Sequence, residues 1–206
     1  MHLRNILVSI FLSFTLSSSA VAAEEPFIKS VNNGVTTYST GATMTMTEYG
    51  EVFTLPSTLD VSGHPFFNVT RLLEMHAANE TIPPLPGIPP LSPRPASSMM
   101  LPKGVAHCET SNASPNQMDV YVVSGMLDKI PDSWLCCVGP SLCTTMMWWY
   151  TAGSDICNWK SYNKCIHCDA ASAAVYLIAN KCAKNRKAGG FVRFGSEVDV
   201  NAYHTW

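Results

Sequence analysis

The chain has 206 residues, 47% of them hydrophobic and only 14% charged, with a formal net charge of −2. So small a charged fraction excludes a disordered acidic or basic protein, and the near-neutral balance supplies no general basic surface for nucleic acid. All eight cysteines lie between Cys108 and Cys182, a density that reads as the disulfide scaffold of an exported protein.

In chain order, residues 1–23 read as a signal peptide. Arg4 gives a positive start, residues 6–16 are apolar, and Ala20-Val21-Ala22-Ala23 is a small-residue cleavage site, with the cut after Ala23. The apolar stretch is shorter than the roughly 20 residues a spanning helix needs. The expected localisation is secreted and extracellular.

Residues 24–82 read as a leader or pro-segment with light β structure. It has no cysteine, and residues 24–94 carry three basic and seven acidic side chains. Threonine-rich runs at 35–40 and 43–48 flank Gly41 and predict two strands, with a third at 51–55. Val69, Leu72, Leu73 and His76 or Ala77 give residues 68–78 helical spacing. A segment this size without disulfides is marginal alone, which suits a piece that covers the rest. Asn68-Val69-Thr70 and Asn79-Glu80-Thr81 are glycosylation sequons at Asn68 and Asn79; a third at Asn112 runs into Pro115, which is expected to suppress it.

Residues 83–106 read as a proline-rich linker, since eight of the fourteen prolines fall within 83–102 and exclude helix and central strand. Leu91-Ser92-Pro93-Arg94 fits a Leu-x-x-Arg pattern that precedes kexin-type cleavage in secreted fungal precursors, making Arg94 a candidate processing site. Pro95 opposes a cut there, and an uncut linker is the competing reading.

Residues 107–206 carry the chemistry. Ser114 is placed to cap a helix running to about Lys129, with Pro115 in its first position, Gln117 closing a capping box, and Val120, Val123, Leu127 and Ile130 on one face. Residues 143–151 predict a buried aromatic strand. Asp169 is expected to cap a second helix bearing Ala170, Ala173, Ala174, Leu177, Ile178 and Lys181, with Gly189-Gly190 beyond its end. Strands at 191–194 and 197–203 follow, the latter pointing Val198, Val200 and Ala202 inward. The predicted fold class is α+β: a small disulfide-rich sandwich of antiparallel strands with two helices, preceded by a β-rich leader.

Eight cysteines allow on the order of a hundred connectivities. Cys136 and Cys137, adjacent in an extended segment, point opposite ways and call for different partners. Cys165-Ile166-His167-Cys168 is the one motif with a catalytic look, as a redox dithiol or part of a zinc site. No thioredoxin-like setting and no second ligand pair accompany it, so structural disulfides are expected at Cys108, Cys136, Cys137, Cys143, Cys157, Cys165, Cys168 and Cys182. The six histidines are scattered, and no His-Glu-x-x-His, Gly-x-Ser-x-Gly or phosphate-loop motif occurs. The expectation is a non-enzyme, without cofactor or metal.

The target-binding candidates are the basic residues Lys184, Arg186, Lys187 and Arg193, which follow Lys181 with no intervening acid, and the aromatics Trp148 and Trp149 beside Tyr150. A solvated helix end competes with the first reading. Strand core competes with the second and is preferred, with Trp149 on the face opposite Trp148 and Tyr150. Terminal Trp206 is a further candidate contact.

Cys108-Glu109-Thr110-Ser111, Ser114-Pro115 and Asp119-Val120, followed by Cys137, Cys143-Thr144, Cys157, Cys168, Cys182 and Gly189-Gly190, resemble small secreted cysteine-rich proteins of filamentous fungi. The smut-virus killer toxin family is similar in its order of cysteine, strand, cysteine, helix ending in cysteine, glycine-containing loop and terminal strand. The resemblance covers residues 107–204; the killer toxins have more cysteines and a glycine-rich opening that Cys108 lacks. A six-cysteine frame of that kind leaves Cys136 and Cys165 as a further pair. It implies an effector- or toxin-like protein that binds a target in a host or competing cell, acting as a virulence factor or as an antifungal killer toxin. Binding of wall polysaccharide through the aromatics is the third reading. The expected partner is a protein, membrane or wall polymer outside the producing cell, and the expected state is a monomer.

Overall fold

The computed structural model describes residues 25–92 and 105–205. The candidate cuts at Ala23 and Arg94, and Trp206, lie outside these residues.

The cysteine-free segment forms four antiparallel strands: β1 (Ile28–Asn32), β2 (Val35–Tyr38), β3 (Thr43–Thr47) and β4 (Gly50–Leu55). Asn33 and Gly34 both have positive φ in the turn between β1 and β2, the chemistry a two-residue hairpin demands. A single 3₁₀ turn (Pro65–Phe67) leads to helix α1 (Val69–Ala77). Asn68 caps α1, its Oδ1 accepting the Arg71 N–H at 3.0 Å.

Composition assigns residues 83–106 to a proline-rich linker; of these, residues 83–92 form no helix or strand and pack against the core. Leu85 and Ile88 are buried in the core. The Thr40 hydroxyl donates to Gly87 O at 2.6 Å, and His64 Nε2 lies 3.2 Å from Pro83 O. His64 Nδ1 accepts from the Phe66 N–H, so the neutral ring donates through Nε2, and burial lowers its pKa in keeping with that form. Prolines cannot join a ladder, yet the apolar residues between them can strap a core.

After the strap come β5 (Ala106–Cys108), α2 (Gln117–Leu127), β6 (Leu135–Val138), β7 (Cys143–Trp149), β8 (Ala152–Asn158), β9 (Asn163–His167), α3 (Cys168–Lys181), β10 (Gly190–Phe194) and β11 (Val198–His204). Two antiparallel sheets result, ordered β1-β2-β3-β4-β9-β6 and β5-β10-β11-β8-β7. Helices α2 and α3 pack on one another and against the second sheet. They approach closely where Ser124 and Ser172 each donate a hydroxyl to the other's carbonyl, at 3.1 and 3.0 Å. The architecture is α+β with two antiparallel sheets, as the sequence predicts.

Both predicted helix caps differ. Ser114 Oγ accepts from the Ser111 N–H, α2 begins after Asn116, and Asp169 lies inside the first turn of α3, bonded to the Ala170 N–H. Both side chains bond within local turns instead, an alternative open to short polar side chains. The predicted apolar face of α2 is buried, with Val120, Val123, Leu127 and Ile130 all in the core.

Four disulfides join Cys108–Cys182, Cys136–Cys168, Cys137–Cys165 and Cys143–Cys157. The expected Cys136–Cys165 pair is therefore corrected, although the adjacent cysteines do take different partners. Cys137 faces Cys165 directly in the β6–β9 register, whereas Cys136 points to the other face and reaches the start of α3. Cys108 closes β5 onto the end of α3, where Gly190 at φ +146° lets β10 approach; a Cβ there would collide with the His107 carbonyl.

The cysteine-free segment is built into this frame through β4, which pairs with β9 from Val52↔Ile166 to Leu55↔Asn163. The halves distinguished by composition thus share one sheet and one continuous core, including Phe53, Leu55, Leu72, Leu135, Ile166 and Ile178. Buried Lys164 donates to Thr54 Oγ1 at 2.6 Å and pairs with Glu197. Buried His167 reaches Glu51 Oε2 at 2.8 Å through Nε2 and Asp132 O at 3.0 Å through Nδ1.

Phe53 is fully buried at this seam and stands edge-on to His167 at 5.7 Å. Phe53→Ala is expected to cost about 3–5 kcal/mol in chemical denaturation with all disulfides intact. Partial reduction with stepwise alkylation, which separates the bridges of adjacent Cys136 and Cys137, is expected to assign Cys136 to Cys168 and Cys137 to Cys165; a Cys136–Cys165 bridge would contradict the frame.

Candidate functional site

The β7–β8 hairpin closes in a two-residue turn, Tyr150-Thr151, with Trp149 paired to Ala152. The sequence predicts a buried strand here, but β7 is the edge of its sheet, and only Met146 and Met147 are buried within it. Trp148, Trp149 and Tyr150 are 65%, 40% and 75% exposed. Trp148 is paired with Gly153, and Trp149, one residue on, lies on the strand's other face. Its ring meets that of Tyr150 edge-on at 5.0 Å. Tyr150 has φ +45°, a left-handed conformation unusual for a bulky residue.

A second tight turn, Asn185-Arg186, follows α3. Lys184 and Lys187 exchange backbone hydrogen bonds across it, and Asn185 and Arg186 have φ +52° and +61°. Among the described residues, none of Lys181, Lys184, Arg186 and Lys187 forms an ion pair. The two turns meet at the start of α2. The Asn116 N–H donates to Thr151 Oγ1 at 2.8 Å, Asn116 pairs with Lys187, and the Gln117 N–H donates to Arg186 O at 2.9 Å. Asp119, the carboxylate at this junction, accepts from the Thr151 hydroxyl at 2.6 Å. Aromatic and basic candidates far apart in sequence are thus separated by one residue, Asn116. Met118 and Val122 on α2, which sequence reasoning missed, are exposed as well.

Arg193 belongs elsewhere. Alternation along β10 places it opposite Asp199 on the open face of the second sheet, and Asp199 accepts from it at 2.7 and 2.9 Å. Its guanidinium also lies 5.0 Å from the Phe191 ring centre, and Phe191 stacks on His107 at 4.6 Å. Tyr203 lies on the same open face over Gly153, where a Cβ would come within 2.7 Å of its ring; only glycine leaves that room. The Tyr203 hydroxyl and Thr145 Oγ1 are 3.2 Å apart. A cleft of about 320 Å³ borders this face and includes Glu109, Ser114, Asp155, Asn201 and Tyr203. A glycine within a β-rich run was the available sequence signal for this face.

Burial raises the Asp155 pKa above the ordinary carboxylate value, partly offset by the hydrogen bond from Asn201 Nδ2 at 2.6 Å. Asp155 also lies near the sulfurs of Cys143 and Cys157, but these are joined as a disulfide, which leaves no thiolate to ligate a metal. Cys165 and Cys168 are likewise bridged to different partners and His167 is held by Glu51, so this motif offers neither a dithiol nor a zinc donor set. Asn68 and Asn79 are both exposed.

The fold and its cysteines define a class, the disulfide-rich α+β proteins. Four disulfides are compatible with an extracellular protein, and among the described residues no helix is long and apolar enough to cross a membrane. No protein-family model, no curated protein and no solved structure matches the chain.

Because the folded state holds the Asp155 carboxyl above its unfolded pKa, its stabilising contribution is full below the ordinary carboxylate pKa and is lost as pH rises through the raised value. Asp155→Asn is expected to melt above the parent protein at pH 7, with the two curves converging on acidification in a melting-temperature series.

Proposed function

We propose that the chain is a secreted, non-enzymatic binding protein of the effector or toxin kind. It recognises a target outside the producing cell through the end where the Tyr150-Thr151 and Asn185-Arg186 turns meet. The observation that carries this reading is the placement of three exposed aromatic residues beside four basic residues that make no ion pair among the described residues, on a frame of four disulfides. Aromatic side chains and arginine are what contact surfaces enrich, and burying the aromatics against a partner recovers apolar area now left in water. A signal-like N-terminus and exposed sequon asparagines at Asn68 and Asn79 support export with glycosylation. Action on a host makes the protein a virulence factor; action on competing fungi makes it a killer toxin.

One observation favours wall polysaccharide as a second reading. The Tyr203 ring lies over Gly153, in the same cross-strand row as Trp148, and borders the cleft that holds Asp155 and Asn201. Such a platform with adjoining hydrogen-bonding groups suits a sugar ring. Full-length protein applied to competing fungi and to host tissue separates the targets. Trp148→Ala with Trp149→Ala is expected to abolish the effect while leaving the melting temperature within a few degrees, because both side chains are exposed. Loss of binding to insoluble glucan or chitin in the same variant, with no effect on cells from either protein, favours the second reading.

A further inference from the structure

Resting on the reading that this end of the molecule is its contact surface, we infer that its partner is a lipid bilayer bearing anionic headgroups. The two turns supply the first argument. Each presents a bulky residue in the left-handed region, Tyr150 at φ +45° and Arg186 at φ +61°, where glycine or asparagine relieves the steric conflict. Fold stability alone favours those smaller residues. What stands there instead is an amphipathic ring on one tip and a cation on the other, both exposed. Strain retained at an exposed pair of tips is the pattern of a functional surface.

The chemistry of the neighbours is the second argument. Trp148, Trp149 and Tyr150 have apolar bodies with a polar N–H or O–H edge, the combination that settles at the boundary between headgroups and acyl chains. Exposed Met118 and Val122, on the helix that starts at the junction, add aliphatic surface that suits acyl chains and gives a sugar nothing to bond. Lys181, Lys184, Arg186 and Lys187 supply local positive charge on a chain of net −2, and Asp119, the carboxylate beside them, is engaged by Thr151. A neutral glucan has no charge to answer four cations, whereas each cation near an anionic leaflet strengthens binding about fivefold.

The test is co-sedimentation of full-length secreted protein with phosphatidylcholine vesicles, with and without phosphatidylserine. The expected result is binding that requires phosphatidylserine, weakens as salt rises, and shifts tryptophan emission to the blue. Arg186→Asn and Lys184→Gln are each expected to weaken it about fivefold. Tyr150→Asn is expected to weaken it about tenfold through lost apolar burial. Tyr150→Asn and Arg186→Asn should melt no lower than the parent, since asparagine accepts the left-handed conformation, so weakened binding is not misfolding. Absence of phosphatidylserine-dependent binding, or variants that bind vesicles as the parent does, overturns the inference. If vesicle binding is absent while the same substitutions still abolish the effect on cells, the lipid partner is wrong and the contact surface stands. If the substitutions change neither, both readings fall.

Discussion

A row of backbone hydrogen bonds between β4 and β9 joins two unlike stretches of chain, one without cysteine and one cross-linked four times. Strand β9 is held on its other side by β6, both by its ladder and by Cys137–Cys165, and it runs straight into α3. The disulfide-held half therefore offers a rigid edge, and the first four strands extend the sheet from it. Side chains at the seam repeat the arrangement: Lys164 reaches Thr54 and His167 reaches Glu51, while Phe53 fills the space between the elements. Such pairs, buried on the Lys164 and His167 side, add little net stability, because desolvation offsets much of their attraction. Hydrophobic burial and the disulfides, each worth about 2–4 kcal/mol, supply the rest.

The elements legible in the sequence were those with a clean period. Strand β11 alternates, α1 and α2 show helical spacing, and the threonine-rich pair around Gly41 announces a hairpin. Strand β8 begins Ala152-Gly153-Ser154-Asp155, a run of low strand propensity buried by its neighbours, and β6 is four apolar residues with no alternation to read. The Asn33-Gly34 turn was readable and identifies β1 in hindsight. Connectivity was beyond reach, because pairing depends on which strand lies next to which.

The contact surface shows the same division. Trp148 and Trp149 look like core in a list of residues, and would be core in a central strand; their exposure follows from β7 being an edge, a property of topology. Lys184, Arg186, Lys187 and Arg193 form one group in sequence and two in space, since β10 carries Arg193 across to Asp199. The meeting of aromatic and basic tips at Asn116 has no sequence signature at all, because Asn116 lies 35 residues from Thr151 and 71 from Lys187.

Every disulfide lies on one side of the β4–β9 seam, and none ties residues 25–92 to the remainder. Covalent continuity between the parts therefore runs through the peptide chain alone. A single break between residues 93 and 104 would produce two pieces whose electrophoretic sizes are indifferent to reducing agent. Under native conditions the paired strands and shared core would hold them together as one particle. The molecule is thus built so that denaturant, rather than reductant, reveals whether its backbone has been cut.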